Sequence, residues 1–473
     1  MKQILFYCLI VSYLLPVTTY TQPCNELNIQ LRSEYPATCN KMAMTMIEDN
    51  LGRQYLYVAQ KEAGLTIFDV SDISTLKNVA SVGISSFSGL HVMSVTQQGT
   101  MLYVALGNYF ANNHQHTGIA AVDISNPKQP VVTSVYEYPQ DGGAGIVVAE
   151  DSRVYLGGMG NGLFVFTITN KTLTLAAQYV PDINFPVKTT DSAKYNARGV
   201  AVKNGIVYLC YDAGGIRVVD CTNLSSVKEI GQYANRVLDT KPRAYNNIVL
   251  DDTLAYVAVD YCGMEVLNIK NPIAITQHSW WNPWTCHTNP LNWFSSAGHA
   301  NEIQYNKNCK KIFLSTGKSD MYVVDVTNPS HPDSCGIYGG IDNGIGTWGI
   351  HVYQNRIYLS YICALIPFAS NWTGIKALTY NPCATSSVGY SNESTTFSIT
   401  PNPATGILVI ASPTLPELQS VELVDVLGKS YSLPYRQQSP TTCIADVSHV
   451  QAGMYGIKVI ADGYYKTQVV VIE

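Results

Sequence analysis

A short phrase returns along this chain and leaves few folds open to it. Tyr57-Val58-Ala59 is followed by Gly64-Leu65-Thr66-Ile67-Phe68-Asp69-Val70-Ser71, and Tyr103-Val104-Ala105 by Gly118-Ile119-Ala120-Ala121-Val122-Asp123-Ile124-Ser125-Asn126-Pro127. Later copies begin at Tyr155, Tyr208, Tyr256, Phe313 and Tyr358, seven in all. Each copy is preceded by an alternating strand, such as Arg198-Gly199-Val200-Ala201-Val202, and closed by a short fourth one, such as Glu229-Ile230-Gly231-Gln232-Tyr233. One such unit cannot bury its own apolar faces, so a repeated unit means a ring or a solenoid.

The two middle strands of each unit are apolar on both faces, and both faces must be covered. Four-stranded blades stacked around an axis cover them. The spacing of roughly 40–55 residues falls in the range of such rings. The reading is therefore all-β: a seven-bladed β-propeller over residues 22–386. With 32 Tyr, 35 Gly, 22 Pro and 13% charged residues, the composition suits a sheet-rich chain with many tight turns, not a disordered one. A net charge of −5 gives no electrostatic footprint for nucleic acid or an anionic membrane.

Blade 7 shows only three strands before Tyr380-Asn381-Pro382-Cys383. Residues 27–35, near the start of the mature chain, are expected to supply the missing strand and remove an exposed edge. A Cys24–Cys383 disulfide would then lock the closure. Blade geometry also groups Cys39 with Cys363, Cys262 with Cys286, and Cys309 with Cys335, whereas Cys210 and Cys221 fall off register. Sequence alone does not set the connectivity, and the alternative is that some are buried free thiols.

Residues 1–21 read as a signal peptide: Lys2, an apolar Ile4-to-Val17 core, and Thr19-Tyr20-Thr21 before the cut. The apolar run is shorter than the ~20 residues of a membrane span, and no later segment is long enough. The mature chain is expected to be exported without a transmembrane segment, keeping 11 of its 12 cysteines where disulfides persist.

The repeat resembles the LVIVD-repeat β-propellers, most closely at Ile124-Ser125-Asn126-Pro127 and Val326-Thr327-Asn328-Pro329. That resemblance implies the fold and is nearly silent on function. After a linker at 387–395, short alternating strands over 396–473 predict a small β-sandwich. Pro401-Asn402-Pro403, the Asp425-to-Gly428 turn, Gly453-Met454-Tyr455 and the valine-rich end with Lys466 resemble the C-terminal sorting domain of the type IX secretion system of Bacteroidota. The resemblance implies that the type IX machinery recognises residues 396–473, and that the protein is released outside the cell or anchored at its outer surface.

No metalloprotease, nucleophile-elbow or phosphate-loop signature is present. Asp69, Asp123, Asp220 and Asp325 recur at one repeat position, which points to turns rather than a site. The blades differ in four insertions: Gly107–Thr117, Pro181–Asn196, Trp280–Gly298 and Tyr361–Thr373. Blade topology puts all of them on one face, as expected where loops carry function on a rigid scaffold. Trp280, Trp281, Trp284, Trp293, Trp348 and Trp372 lie in these insertions or at the start of an inner strand, and are candidate platforms for a glycan or an extracellular protein. His91, Arg198, Asn246 and Asn301 are expected at the channel mouth as further ligand-binding positions. His114, His116, His299 and His351 match no metal spacing, and no cofactor or metal is expected. The reading is a non-enzymatic binding or adhesion module. The alternative is a hydrolase or lyase at the channel mouth around His91, Arg198 and Asn301.

Overall fold

The computed structural model describes residues 27–110, 114–288, 299–316, 319–339, 345–365, 368–370, 372–381, 398–411, 418–425, 430–461 and 464–473. The chain forms two compact units, Met1–Cys383 and Ala384–Glu473.

In the first unit the described residues form seven four-stranded antiparallel sheets, one per repeat. In chain order their innermost strands are Met46–Glu48, Val92–Gln98, Val147–Glu150, Val200–Lys203, Tyr245–Leu250, Ala300–Asn306 and Gly346–Tyr353. Each packs against the next, and the last packs against the first, so the array closes into a propeller. The seventh sheet takes its outermost strand from the start of the chain. Gln30–Pro36 pairs antiparallel with Gly374–Thr379, from Gln30 opposite Thr379 to Pro36 opposite Gly374. The strand is thus set slightly later than the 27–35 expected from sequence. Leu27 lies just before it, buried, and its carbonyl accepts from the Asn381 amide at 2.7 Å.

The repeated phrase has a local cause. The Tyr-Val and Gly-Leu strands are the second and third of each sheet, and their side chains fill the spaces between blades. Tyr57, Tyr155, Tyr256 and Tyr358 are fully buried or nearly so. The glycine opens the third strand with positive φ, 89° at Gly64 and 75° at Gly215. A β-carbon there would come within 2.1 Å of the Val82 or Tyr233 carbonyl oxygen at the end of the outer strand, so only glycine fits. The recurring aspartates accept from the amide two residues on, as in Asp69–Ser71 at 2.9 Å and Asp220–Thr222 at 3.0 Å. They are Asx turns that end the third strand. A bulge in the pairing of third and fourth strands recurs in blades 1 to 6, for example between Ile67 and Phe68 and between Val218 and Val219. It adds the local twist that blade-on-blade packing requires.

Two disulfides join described residues, Cys39–Cys363 and Cys262–Cys286. Cys309 keeps its thiol while Cys335 is disulfide-bonded, so the expected Cys309–Cys335 pairing does not form. Cys309 lies in the turn between the first two strands of blade 6, and Cys335 lies in its outermost strand, Asp333–Tyr338. Two strand spacings separate them, about 10 Å, beyond the ~7 Å that a disulfide spans between α-carbons. Cys210 and Cys221 are buried thiols. Cys24 and Cys383 lie outside the described residues, as does the signal peptide.

The second unit holds two four-stranded sheets that pack through Ile399, Leu408, Ile410, Val421, Leu423, Ile457, Val459, Val470 and Ile472. Asn402, between its two prolines, clamps the last strand: its Nδ2 donates to the Val469 carbonyl at 3.0 Å and its Oδ1 accepts from the Val471 amide at 2.8 Å.

Candidate binding cleft

Second-to-third-strand turns and blade-to-blade links share one face of the propeller. On that face lies a cleft of about 710 Å³ over blades 2 to 5. Its walls come from the first two insertions, with Tyr109 and Phe110 on one and Val187 to Asn196 on the other, and from the link Asp239–Ala244. The floor holds Arg198, Asp212, His299 and Trp348.

Arg198 lies just before the fourth inner strand, and its side chain meets residues of blades 2 and 7. Its guanidinium carbon lies 5.1 Å from the centre of the Trp348 ring and 5.7 Å from that of Phe110. The two rings meet edge to face at 5.1 Å. These three side chains separate the cleft from a second space, the axial channel of about 470 Å³ lined by all seven inner strands. Of its five N–H donors Arg198 gives one, from Nη1 to Asn246 Oδ1 at 2.6 Å. The nearest carboxylate oxygen, Asp212 Oδ1, is 3.8 Å away, an ion pair but beyond hydrogen-bond reach.

Two buried carboxylates, Asp212 and Glu302, feel this arginine, and a third, Asp260, is a neighbour of Asp212. Asp212 sits in a left-handed turn position, φ 40°, that aspartate tolerates. Asn196 Nδ2 donates to its Oδ2 at 2.9 Å, while its Oδ1 is buried without a hydrogen bond. Burial pushes its pKa up to about 6 against the pull of Arg198. Glu302, held by Asn247 at the neck, is pushed up to about 7, again by burial and against Arg198. Asp260 is fully buried and paired with His299 Nδ1.

These shifts have a direct consequence for stability. A carboxyl whose folded pKa lies above its unfolded value binds more protons in the native state. Its contribution is complete below pH ~4.5 and is lost as pH rises through the folded value. The fold should therefore weaken between pH 4.5 and about 7. Glu302→Gln, which keeps the shape without the charge, is expected to flatten that decline by on the order of 2–3 kcal/mol. Urea unfolding of both proteins at pH 5 and pH 8 measures it, and parallel pH slopes would refute the assignment.

The candidate positions do not all converge here. Arg198 and Trp348 belong to the cleft floor. Asn246 and Asn301 are buried, and they tie neighbouring blades by donating to the Ala300 and Thr347 carbonyls at 2.6 and 2.9 Å. His91 lies outside the cleft, 3.8 Å from Glu62, with its pKa lowered mainly by burial. The grouping of His91 with Arg198 and Asn301 is therefore not seen. His116 pairs with Glu137, His114 stacks on Tyr109 and His351 lines the axial channel, so the histidines are dispersed.

No described tryptophan is exposed, and those outside the cleft floor pack into their surroundings. Trp281 is buried against Trp284, which in turn meets Tyr322. Trp281 Nε1 donates to Ser334 Oγ at 3.1 Å. Half-buried Trp280 donates to the Cys262 carbonyl at 2.8 Å. Trp372 packs on Tyr361 and on the Lys376 ammonium. These rings hold long loops down, since a large apolar ring loses more by exposure than it gains from mobility. Trp293 lies outside the described residues.

Asp212, Asp260, His299 and Glu302 are the members that sequence reasoning missed as a group. One signal was available. Asp212 and Asp260 sit just past the ends of apolar second strands, and only these two blades place an acid at the position that Lys61 holds in blade 1 and Met159 in blade 3.

Comparison with known proteins agrees with this architecture. LVIVD repeats are found at residues 52–83, 91–137, 196–235 and 313–339. The secretion system C-terminal sorting domain is found at 398–473. The chain is thus an all-β propeller built on LVIVD repeats, with a type IX sorting domain at its C-terminus that implies secretion and attachment at the cell surface. No curated protein matches it. Among solved structures, similar chains include PorZ, described as an essential bacterial surface component of the type IX secretion system of Porphyromonas gingivalis. It shows 14% identity and a TM-score of 0.41, over 93% of this chain and 66% of that one. Another is the WD40 β-propeller domain of Doa1, with 10% identity and a TM-score of 0.47, over 75% of this chain and 97% of that one. The computationally designed Ika8 protein shows 8% identity and a TM-score of 0.44, over 74% of this chain and 100% of that one.

Proposed function

We propose that this protein is a surface-displayed binding module whose ligand enters the cleft over blades 2 to 5. One observation carries this reading: a concave site of about 710 Å³ built from the loops of a single face, with a charged floor held by buried partners. Its size is that of a site for a few sugar rings or a short peptide. The second unit delivers the module to the surface, and the propeller presents the cleft. The experiment is a glycan and peptide array probed with the full-length protein and with Ala193→Trp. Ala193 is an exposed lining residue, so the new ring fills the cleft without disturbing the core. Array signals of the parent protein are expected to fall at least about 10-fold in the variant, the scale of one lost pocket contact. Signals unchanged by Ala193→Trp would move the ligand elsewhere.

A second reading is favoured by the His299–Asp260 pair. A carboxylate on Nδ1 orients the imidazole and fixes its tautomer, as in general-base sites. This suits a hydrolase or lyase working in the same cleft.

A further inference from the structure

The cleft has a feature that a general binding surface does not need. Arg198 packs its guanidinium against two rings that touch each other, yet only one of its five N–H donors has a hydrogen-bond acceptor among the described residues. A planar guanidinium packed against rings, with donors left unused, matches a carboxylate through two parallel bonds. Beside it, Asp212 Oδ1 is buried without a donor. A ligand that satisfies both must carry a carboxylate and, close to it, a hydroxyl that can donate. Acidic sugars carry both on one ring. The walls agree in sign. Lys188 and Lys194 stand exposed at the rim, and the lining as a whole has five Lys and Arg against three Asp in a chain whose net charge is −5. Tyr109 and Tyr195 add aromatic surface with polar tips.

We infer that the cleft recognises an acidic saccharide, with the carboxylate of one sugar on Arg198, a neighbouring hydroxyl on Asp212, and further negative charge along the lysine rim. The inference rests on the cleft being the binding site. Successive acidic rings explain cations at both floor and rim, which a single peptide terminus does not.

Calorimetric titration of the full-length protein tests it. Trigalacturonate and sialyllactose serve as two sources of the same chemistry, the methyl ester of trigalacturonate as the uncharged control, and triglutamate as the peptide control. One or both acidic sugars should bind, with the methyl ester at least about 10-fold weaker. Arg198→Lys keeps the charge but loses the fork, and should weaken acidic-sugar binding about 10-fold; Arg198→Gln should weaken it about 100-fold. The double variant Lys188→Gln, Lys194→Gln lies outside the packed floor. It should cost a few-fold and reduce the salt dependence, a readout that survives if the Arg198 variants misfold. Equal binding of acid and ester, indifference to all these variants, or tighter binding of triglutamate would each overturn the inference. If no acidic sugar binds but a neutral array ligand is blocked by Ala193→Trp, the inference falls and the cleft stands. If no ligand responds to Ala193→Trp, both fall.

Discussion

Arg217→Ala is expected to lower the stability of the propeller by about 3–5 kcal/mol and to loosen one wall of the cleft with it. The side chain is fully buried in the third strand of blade 4. Nη1 lies 3.1 Å from Glu229 Oε1, Nε donates to the Gly214 carbonyl at 3.1 Å, and Nη2 to the Asp182 and Phe185 carbonyls at 2.5 and 3.3 Å. The guanidinium also lies 5.0 Å from the centre of the Phe185 ring. Residues 182 and 185 belong to the insertion that continues into the cleft wall. Truncation leaves a carboxylate and three carbonyls without their donor and opens a void, costs that add. Arg217→Met keeps much of the volume and should recover part of the loss. Urea midpoints give the energy, and limited proteolysis within 181–196 gives the local effect. Resistance equal to that of the parent protein would show that the insertion is held by something else.

Removing the Cys39–Cys363 bond should have a comparable effect through the unfolded chain. The bond joins residues 324 apart in sequence. A loop of that length gives about 6 kcal/mol in the chain-entropy model. The double variant Cys39→Ser, Cys363→Ser is expected to remain closed, because Gln30–Pro36 still pairs with Gly374–Thr379. It should unfold at lower denaturant, with faster amide exchange in those two strands than in blades 3 to 5. An unchanged midpoint would mean that strand pairing alone carries the closure. Cys262–Cys286, closing only 24 residues, should matter less to global stability and more to the loop bearing Trp280.

The repeat made the fold legible because each of its letters answers a backbone or packing demand. The glycine occupies a place where a β-carbon has no room, the aspartate ends a strand, and the tyrosine fills an interblade space. These demands are local and recur in most blades, so they survive as a pattern. The site is different. Tryptophans were conspicuous in the sequence, yet Trp280, Trp281, Trp284 and Trp372 pack to anchor loops, since large rings in insertions are drawn to any apolar surface nearby. Arg198 could be placed at the mouth by counting strands, but its contacts with Phe110 and Trp348 join blades 4, 2 and 7. Nothing in the spacing of 110, 198 and 348 announces that meeting.

By itself, the sequence determined the sheet-rich class, the repeat unit, the need for closure by the first strand and the separate C-terminal sandwich, because each follows from short-range periodicity and turn chemistry. Only the tertiary structure decided which residues share the cleft, which cysteine stays a thiol, and which charges are buried together. Those properties depend on distances between segments far apart in the chain. Burial is also set by everything packed around a group, so the raised carboxyls of Asp212 and Glu302 exist only once the ring has closed.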